Sequence, residues 1–177
     1  MRIVDVVERA KAIMLSPQTE WQTISREPGA FTDLFGSYVA ILAAIPALAR
    51  FIGNSLIGGY EPILSGLIRT VIAYAATFTV VYVLAGVIDL LARKFEVPKN
   101  FPGALKLSIY SHTPVWLAGI FLLLPGLNFL MLLGLYGSYL LWLGLPVLMG
   151  VSREQAWPYA ACVTAAALAS TVVYWVI

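Results

Sequence analysis

His112 is the only histidine in this chain of 177 residues, so any imidazole chemistry depends on it. Ser108 precedes His112 by four residues, a spacing that puts both side chains on one face of a helix. A serine–histidine dyad is geometrically possible there, but the surrounding apolar stretch has no acidic side chain to orient the imidazole. The pair is therefore expected to satisfy two buried polar groups, or to serve as a proton or substrate contact, before it is expected to be catalytic.

Charged side chains within apolar sequence form a second group of candidates. Burying a charge at the centre of a bilayer costs at least about 2.5 kcal/mol, so each one needs a partner or a function. Asp89 precedes Arg93 by four residues, which predicts an ion pair on a helix. Arg50 and Arg69 are predicted at similar depths, where they could reach lipid phosphates or, for one of them, Glu61. Two guanidinium groups favour an anionic lipid headgroup site, because their planar donors match phosphate.

Cofactor and metal chemistry is not indicated by the remaining residues. A zinc site needs three or four ligands, and neither the single histidine nor the single cysteine, Cys162, has an acidic cluster beside it. The sequence contains no zinc-peptidase motif, no phosphate-binding loop and no paired acidic residues within an apolar stretch. We therefore expect no cofactor, no metal and no enzymatic activity.

Five long apolar stretches must position these side chains. Hydrophobic residues make up 60% of the chain and charged residues 11%, and the mean hydropathy is +0.87. About 20 apolar residues cross a bilayer as a helix, and five stretches reach that length: 34–57, 67–92, 105–124, 127–149 and 156–177. This pattern predicts an all-α polytopic membrane protein with five transmembrane helices over 34–177. Residues 1–33 are predicted to form a cytoplasmic segment of short amphipathic or interfacial helices.

Lysine and arginine are concentrated on one side of the predicted membrane. They occur before the first stretch and between the second and third, at Arg2, Arg9, Lys11, Arg26, Arg93, Lys94, Lys99 and Lys106. The two turns on the opposite side carry one charged residue, Glu61. The positive-inside rule then predicts a cytoplasmic N-terminus and, after five crossings, an external C-terminus. Because these basic residues flank membrane helices, the net charge of +2 predicts no nucleic-acid partner.

The N-terminal segment has the pattern of an amphipathic helix followed by a second short helix. The apolar positions at helical spacing are Ile3, Val6, Val7, Ala10, Ile13 and Met14. This first helix is expected either to lie on the membrane surface or cap the bundle, or to dock a partner protein. Ser16 and Pro17 are suited to cap and begin the second helix, which should run to Arg26. It is predicted to expose Trp21 and Ile24, which together with Pro17 form an interfacial anchor or docking point.

Small residues indicate where helices approach each other closely. In the fourth and fifth stretches they are Gly134, Gly137, Ser138, Ala160, Ala161, Thr164 and Ala165. Faces of this kind allow close helix packing in membranes. They predict packing within one chain or, alternatively, a homodimer.

Residues before the first stretch resemble those of prokaryotic members of the Yip1 domain family. The residues that carry this resemblance are Pro17, Trp21, Ile24 and Glu27-Pro28. The second half is similar to the family at Tyr110-Ser111, Pro114, Leu124-Pro125, Tyr136, Tyr139, 143–146 and Gly150-Val151. Residues 33–36 are similar to the Asp-Leu-x-Gly-Pro motif of eukaryotic members, with Ser37 in place of proline.

The resemblance implies a five-span protein of the prokaryotic inner membrane that works as a scaffold. Eukaryotic members act in vesicle trafficking and bind Rab GTPases through a long N-terminal region, whereas this chain has about 33 residues before its first stretch. A GTPase-binding platform is therefore not expected. The predicted function is to organise the membrane or recruit a partner by binding, in contact with membrane lipids. The alternative is a small lipid or solute transporter or channel whose polar path uses Arg50, Arg69 and His112.

Overall fold

The computed structural model describes residues 3–27 and 34–176, except for the side chains of Pro125 and 170–176. Every regular element within these residues is a helix, which confirms the all-α prediction. Pro28 and Asp33, which contribute to the family resemblance, lie outside the described residues.

Two short helices come first, α1 over Ile3–Leu15 and α2 over Pro17–Arg26. Pro17 lies in the first turn of α2. N–H groups in the first turn have no partner within the helix, so the absence of an N–H in proline costs no helical hydrogen bond. Glu20 in the first turn and Arg26 in the last turn both complement the helix dipole. Ser16 precedes α2 as predicted, but its hydroxyl makes no capping hydrogen bond.

The first two apolar stretches form an antiparallel pair. The first consists of α3 over Ala40–Phe51 between two π-helical turns, Leu34–Val39 and Ile52–Ile57. The second is α4 over Ile63–Leu91, a helix of 29 residues, followed by a 3-10 turn over Ala92–Phe95.

Side chains from α4 fix the position of this pair. The Tyr74 hydroxyl donates to the Ala40 carbonyl at 3.0 Å. The rings of Phe35 and Phe78 lie 6.2 Å apart. The turn Leu34–Val39 is therefore level with the middle of α4.

The second half of the chain is divided into more and shorter helices than the first half. It comprises α5 over Phe101–Ser111, α6 over Thr113–Ala118, 3-10 helices over Gly119–Leu123 and Pro125–Leu135, α7 over Tyr136–Met149 and α8 over Arg153–Val176. The chain breaks at His112 because Pro114 has no N–H to continue the helical ladder. Asn100 joins the start of α5 to the end of α7: its side-chain oxygen accepts from the Gly103 N–H at 3.1 Å, and its amide donates to the Leu148 carbonyl at 2.9 Å.

Three helices in the described part of the chain are long and apolar enough to cross a membrane: Leu34–Ile57, Ile63–Phe95 and Gly126–Met149. They support a membrane protein and match the predicted first, second and fourth spans. The five-span count is not supported. The predicted third span, 105–124, is wrong as a single helix because it divides into α5, α6 and a 3-10 segment. The predicted fifth span, 156–177, extends past the residues whose side chains are described.

Burial follows the pattern of a membrane protein, with apolar side chains on both the inside and the outside. The core includes Trp21, Tyr38, Ile88, Leu107, Leu140 and Tyr159, all fully buried. The outer surface of α4 is also apolar, at Leu64, Ile68, Val71, Ile72 and Val83. A contiguous exposed apolar surface of this kind suits contact with lipid.

One of the small residues predicted to allow close helix packing does so between two helices of this chain. A Cβ added at Gly137 would lie 2.3 Å from the backbone oxygen of Ser111. α7 therefore approaches the end of α5 as closely as a glycine allows, which supports packing within one chain. The homodimer stays a prediction.

Candidate functional site

Helices α1 and α2 pack into the same hydrophobic core as the helices from α3 to α8, which we call the bundle. Helix α2 lies against α7, and its residue Trp21 is fully buried. The Trp21 ring meets Tyr110 of α5 edge to face, with centroids 6.2 Å apart and planes at 86°. On α7, a Cβ added at Gly144 would lie 2.7 Å from a Trp21 ring carbon. Only a glycine leaves this space for the indole.

Polar side chains of the bundle hold the C-terminal end of α2 and the last turn of α1, which precedes it. At the C-terminal end, the Lys106 ammonium donates to the backbone carbonyls of Ile24 at 2.9 Å and Glu27 at 2.6 Å. A lysine here also complements the negative end of the helix dipole. Before the N-terminal end, the Tyr136 hydroxyl donates to the Met14 carbonyl at 3.1 Å. We call the surface formed by Lys106, Tyr110, Tyr136 and Gly144 the α2 docking site.

An ionic cluster ties the two N-terminal helices together. The Arg9 guanidinium of α1 forms ion pairs with Glu20 of α2 and with Glu27, using a different nitrogen for each. The Arg9 and Glu20 side chains are 18% and 14% exposed. Burial lowers the pKa of Arg9, but the hydrogen bond to Glu27 and the nearby carboxylates more than offset this, so its pKa is raised. Arg9 is thus a fixed positive charge that closes the hairpin.

A cavity of about 540 Å³ lies where the end of α2 meets the start of α5 and the end of α7. Its walls combine apolar side chains such as Leu105 and Val147 with the polar groups of Ser25, Glu27 and Lys106. These polar groups already have partners, because Ser25 donates to the Gln22 carbonyl, Glu27 pairs with Arg9, and Lys106 binds α2.

The prediction that α2 exposes Trp21 and Ile24 is wrong, because both side chains are fully buried. Pro17, the third residue of the predicted anchor, is half-buried. Helical spacing correctly placed Trp21 and Ile24 on one face, but spacing cannot tell whether a face meets lipid or protein. The glycine opposite Trp21 decides this, and it lies 123 positions further along the chain.

The dyad of Ser108 and His112 that helical spacing makes possible does not form. The Ser108 hydroxyl donates to the Val81 carbonyl of α4 at 2.7 Å. His112 Nδ1 lies 2.7 Å from the backbone oxygen of Ser108, not from its hydroxyl. Because a carbonyl only accepts, Nδ1 carries the proton. The imidazole also lies 5.8 Å from the Trp116 ring. A role of either side chain as a proton or substrate contact stays a prediction.

Asp89 has a different partner from the one predicted. Its Oδ2 lies 3.6 Å from Lys99 Nζ, not beside Arg93. The i, i+4 rule assumes a continuous α-helix, but α4 ends at Leu91 and a 3-10 turn carries Arg93 away from that face. Asp89 Oδ1 is buried without a hydrogen-bond partner among the described residues.

The two arginines of the predicted lipid site lie in the two helices of the antiparallel pair. Arg69 of α4 pairs with Glu61 at 3.3 Å and is 71% exposed. Arg50 of α3 is half-buried. Glu61 thus pairs with one of the two arginines, which is the alternative considered for one of them from the sequence. An anionic-lipid site formed by Arg50 and Arg69 together stays a prediction.

Sequence reasoning missed the residues that fix α2. Arg9 and Lys106 were counted only as cytoplasmic charges, and Gly144 only as part of a family motif. Charge complementarity between Arg9 and Glu20 was a usable signal, as was a glycine in the middle of an apolar helix, where it costs stability unless something packs closely. The other residues that hold α2 are far from it in the sequence, so no local pattern indicates their contacts.

Comparison with known proteins identifies the family to which the chain belongs. The sequence profile of the Yip1 domain matches residues 11–174, which include α2 and every bundle element that contacts it. The chain is 29% identical, over 90% of its length and 91% of theirs, to proteins named inner membrane protein YohC from Escherichia coli K12 and from Escherichia coli O6:H1 strain CFT073. No solved structure matches. Since the match runs through nearly all of the described helices, the chain belongs to the Yip1 domain family.

Proposed function

We propose that this protein is an inner-membrane scaffold that acts by binding, organising the membrane or recruiting a partner protein without catalysis. Its N-terminus lies in the cytoplasm and its C-terminus outside. The relatives' description as inner membrane proteins supports the location. The concentration of lysine and arginine before the first span and after the second supports the orientation.

The observation that carries this proposal is the fixed position of α2. Its inner face is held by the α2 docking site, while its outer face remains uncovered and polar, at Gln18, Thr19, Gln22, Thr23 and Arg26. A helix held in place loses little conformational entropy when it binds, which favours recognition of a partner. The polar interior groups Ser108 and His112 are engaged by backbone carbonyls, which favours a structural role for them.

Site-specific photocrosslinking in native membranes tests the proposal. A photoreactive residue at Gln22, on the exposed face of α2, should give a discrete protein adduct. The same residue at Val71, on the exposed surface of α4, is the control and should label lipid. Trp21→Ala, which undocks α2, should abolish the Gln22 adduct while the protein still reaches the membrane. If Gln22 gives no adduct, or one that is indifferent to Trp21→Ala, α2 is not a recruiting surface.

The alternative function is a transporter or channel that uses Arg50, Arg69 and His112. It requires a path that connects these three side chains. Arg69 pairs with Glu61 near the start of α4, and His112 contacts Ser108 and Trp116 in the interior. These contacts fit the scaffold better. Solute release from reconstituted vesicles that disappears in Arg69→Gln and His112→Gln variants would favour the transporter instead.

A further inference from the structure

Helix α1 carries more apolar surface than the bundle covers. Its buried residues are Val6, Ala10 and Ile13. A second set is more than half exposed, with exposed fractions of 67% at Ile3, 62% at Val4, 58% at Val7 and 71% at Leu15. At about 100° per residue, this second set covers an arc of about 120° next to the buried one. We call these four residues the outer stripe.

The bundle elements next to α1 lie at the depth of the hydrocarbon. Helix α4 has no charged residue between Arg69 and Asp89, a stretch of 19 residues or about 28 Å. That length matches a hydrocarbon core of about 30 Å. Phe78, near the middle of this stretch, lies beside Phe35.

Contacts with two elements place α1 at this depth. It packs against the turn Leu34–Val39, which contains Phe35, and against α6. These two elements are joined by the hydrogen bond of 2.8 Å between the Tyr38 hydroxyl and Thr113 Oγ1. Helix α1 therefore packs beside the first span, against elements that are level with the apolar middle of α4.

We propose that α1 is a membrane-embedded helix, with the outer stripe in contact with the acyl chains of one leaflet. Lys11 is exposed within the arc of the outer stripe, and its long side chain can extend to lipid phosphates while its methylenes stay among the chains. Of the other charged groups of α1, Arg9 is paired with Glu20 and Glu27, and the exposed Glu8 lies about 20° beyond the edge of the arc, where its carboxylate is directed to the headgroups.

Lipid fits the outer stripe better than a second protein. A stable protein interface takes about 20 to 30 residues on each side, whereas the outer stripe has four. The exposed cation at its centre complements anionic headgroups. This placement of α1 does not depend on whether α2 recruits a partner.

Spin-label accessibility measures the depth of α1 directly. The label is attached at Val7→Cys in a Cys162→Ala background, and the protein is reconstituted in vesicles of equal parts phosphatidylcholine and phosphatidylglycerol. Val71→Cys on α4 supplies the lipid-facing reference, and Lys94→Cys in the turn after α4 supplies the aqueous reference. Val4→Cys, on the same stripe, is a second site in case the first variant does not fold.

The proposal expects the labels at Val7 and Val4 to resemble the Val71 label, with high accessibility to oxygen and low accessibility to a water-soluble nickel chelate. Accessibility to nickel like that of the Lys94 label would mean that the outer stripe faces water, and would overturn the proposal. An immobile label that neither reagent reaches would mean that protein covers the stripe, and would overturn it equally.

Discussion

The two N-terminal helices differ in a way that composition alone would reverse. Helix α1 is rich in valine and isoleucine, yet four of its large apolar side chains are exposed. Helix α2 has mostly polar residues, yet Trp21 and Ile24 are completely buried. The difference comes from the opposing surface, since α7 offers Gly144 opposite Trp21. The bundle thus buries both large apolar side chains of α2 but covers only part of the apolar surface of α1.

The largest expected effect is loss of the indole that fixes α2. Trp21→Ala should lower the free energy of unfolding by about 3 to 5 kcal/mol, because it removes a large buried side chain and leaves a cavity. Unfolding of the purified protein in detergent measures this. Leu15→Ala on α1 is the matched control and should change stability by no more than about 0.5 kcal/mol.

Trp21→Phe separates packing from hydrogen bonding at the same position. Trp21 Nε1 is buried without a hydrogen-bond partner among the described residues, so phenylalanine removes an unpaired donor and keeps an aromatic ring. The cost should be less than about 1.5 kcal/mol. Equal losses from the alanine and phenylalanine variants would contradict the interpretation that packing of an aromatic ring holds α2.

Arg9→Gln tests the ionic cluster that joins α1 to α2. The change leaves Glu20, whose side chain is 14% exposed, without its charged partner, and should cost about 1 to 3 kcal/mol. Adding Glu20→Gln should recover part of that loss, which a double-mutant cycle measures. Arg26→Gln, at an exposed position of α2, is the control and should have little effect. Additive losses for Arg9 and Glu20 would contradict the coupling.

The smallest expected effect concerns Asp89, far from both helices. Lys99→Gln should cost no more than about 1 kcal/mol, because Lys99 is 44% exposed and its distance of 3.6 Å from Asp89 is too long for a hydrogen bond. Arg93→Gln should cost less still, since Arg93 is not the partner. Comparing the two unfolding free energies distinguishes the pairs, and a larger loss for Arg93→Gln would restore the pairing expected from helical spacing.

Local patterns predicted much of the fold. Long apolar runs identified the spans at 34–57, 67–92 and 127–149, and Pro17 marked the start of α2, because these features act within one element. Contacts between elements escaped prediction. The burial of Trp21 depends on a glycine in another helix, and the partner of Asp89 depends on where α4 ends.

Amide hydrogen exchange over residues 17–26, with the protein in lipid vesicles, tests directly whether α2 is a fixed part of the bundle. An isolated helix of ten residues is barely stable in water, so protection must come from the α2 docking site. We expect amide exchange in α2 to be as slow as in α7, and to become much faster after Trp21→Ala. Rapid exchange of α2 in the unaltered protein would contradict it.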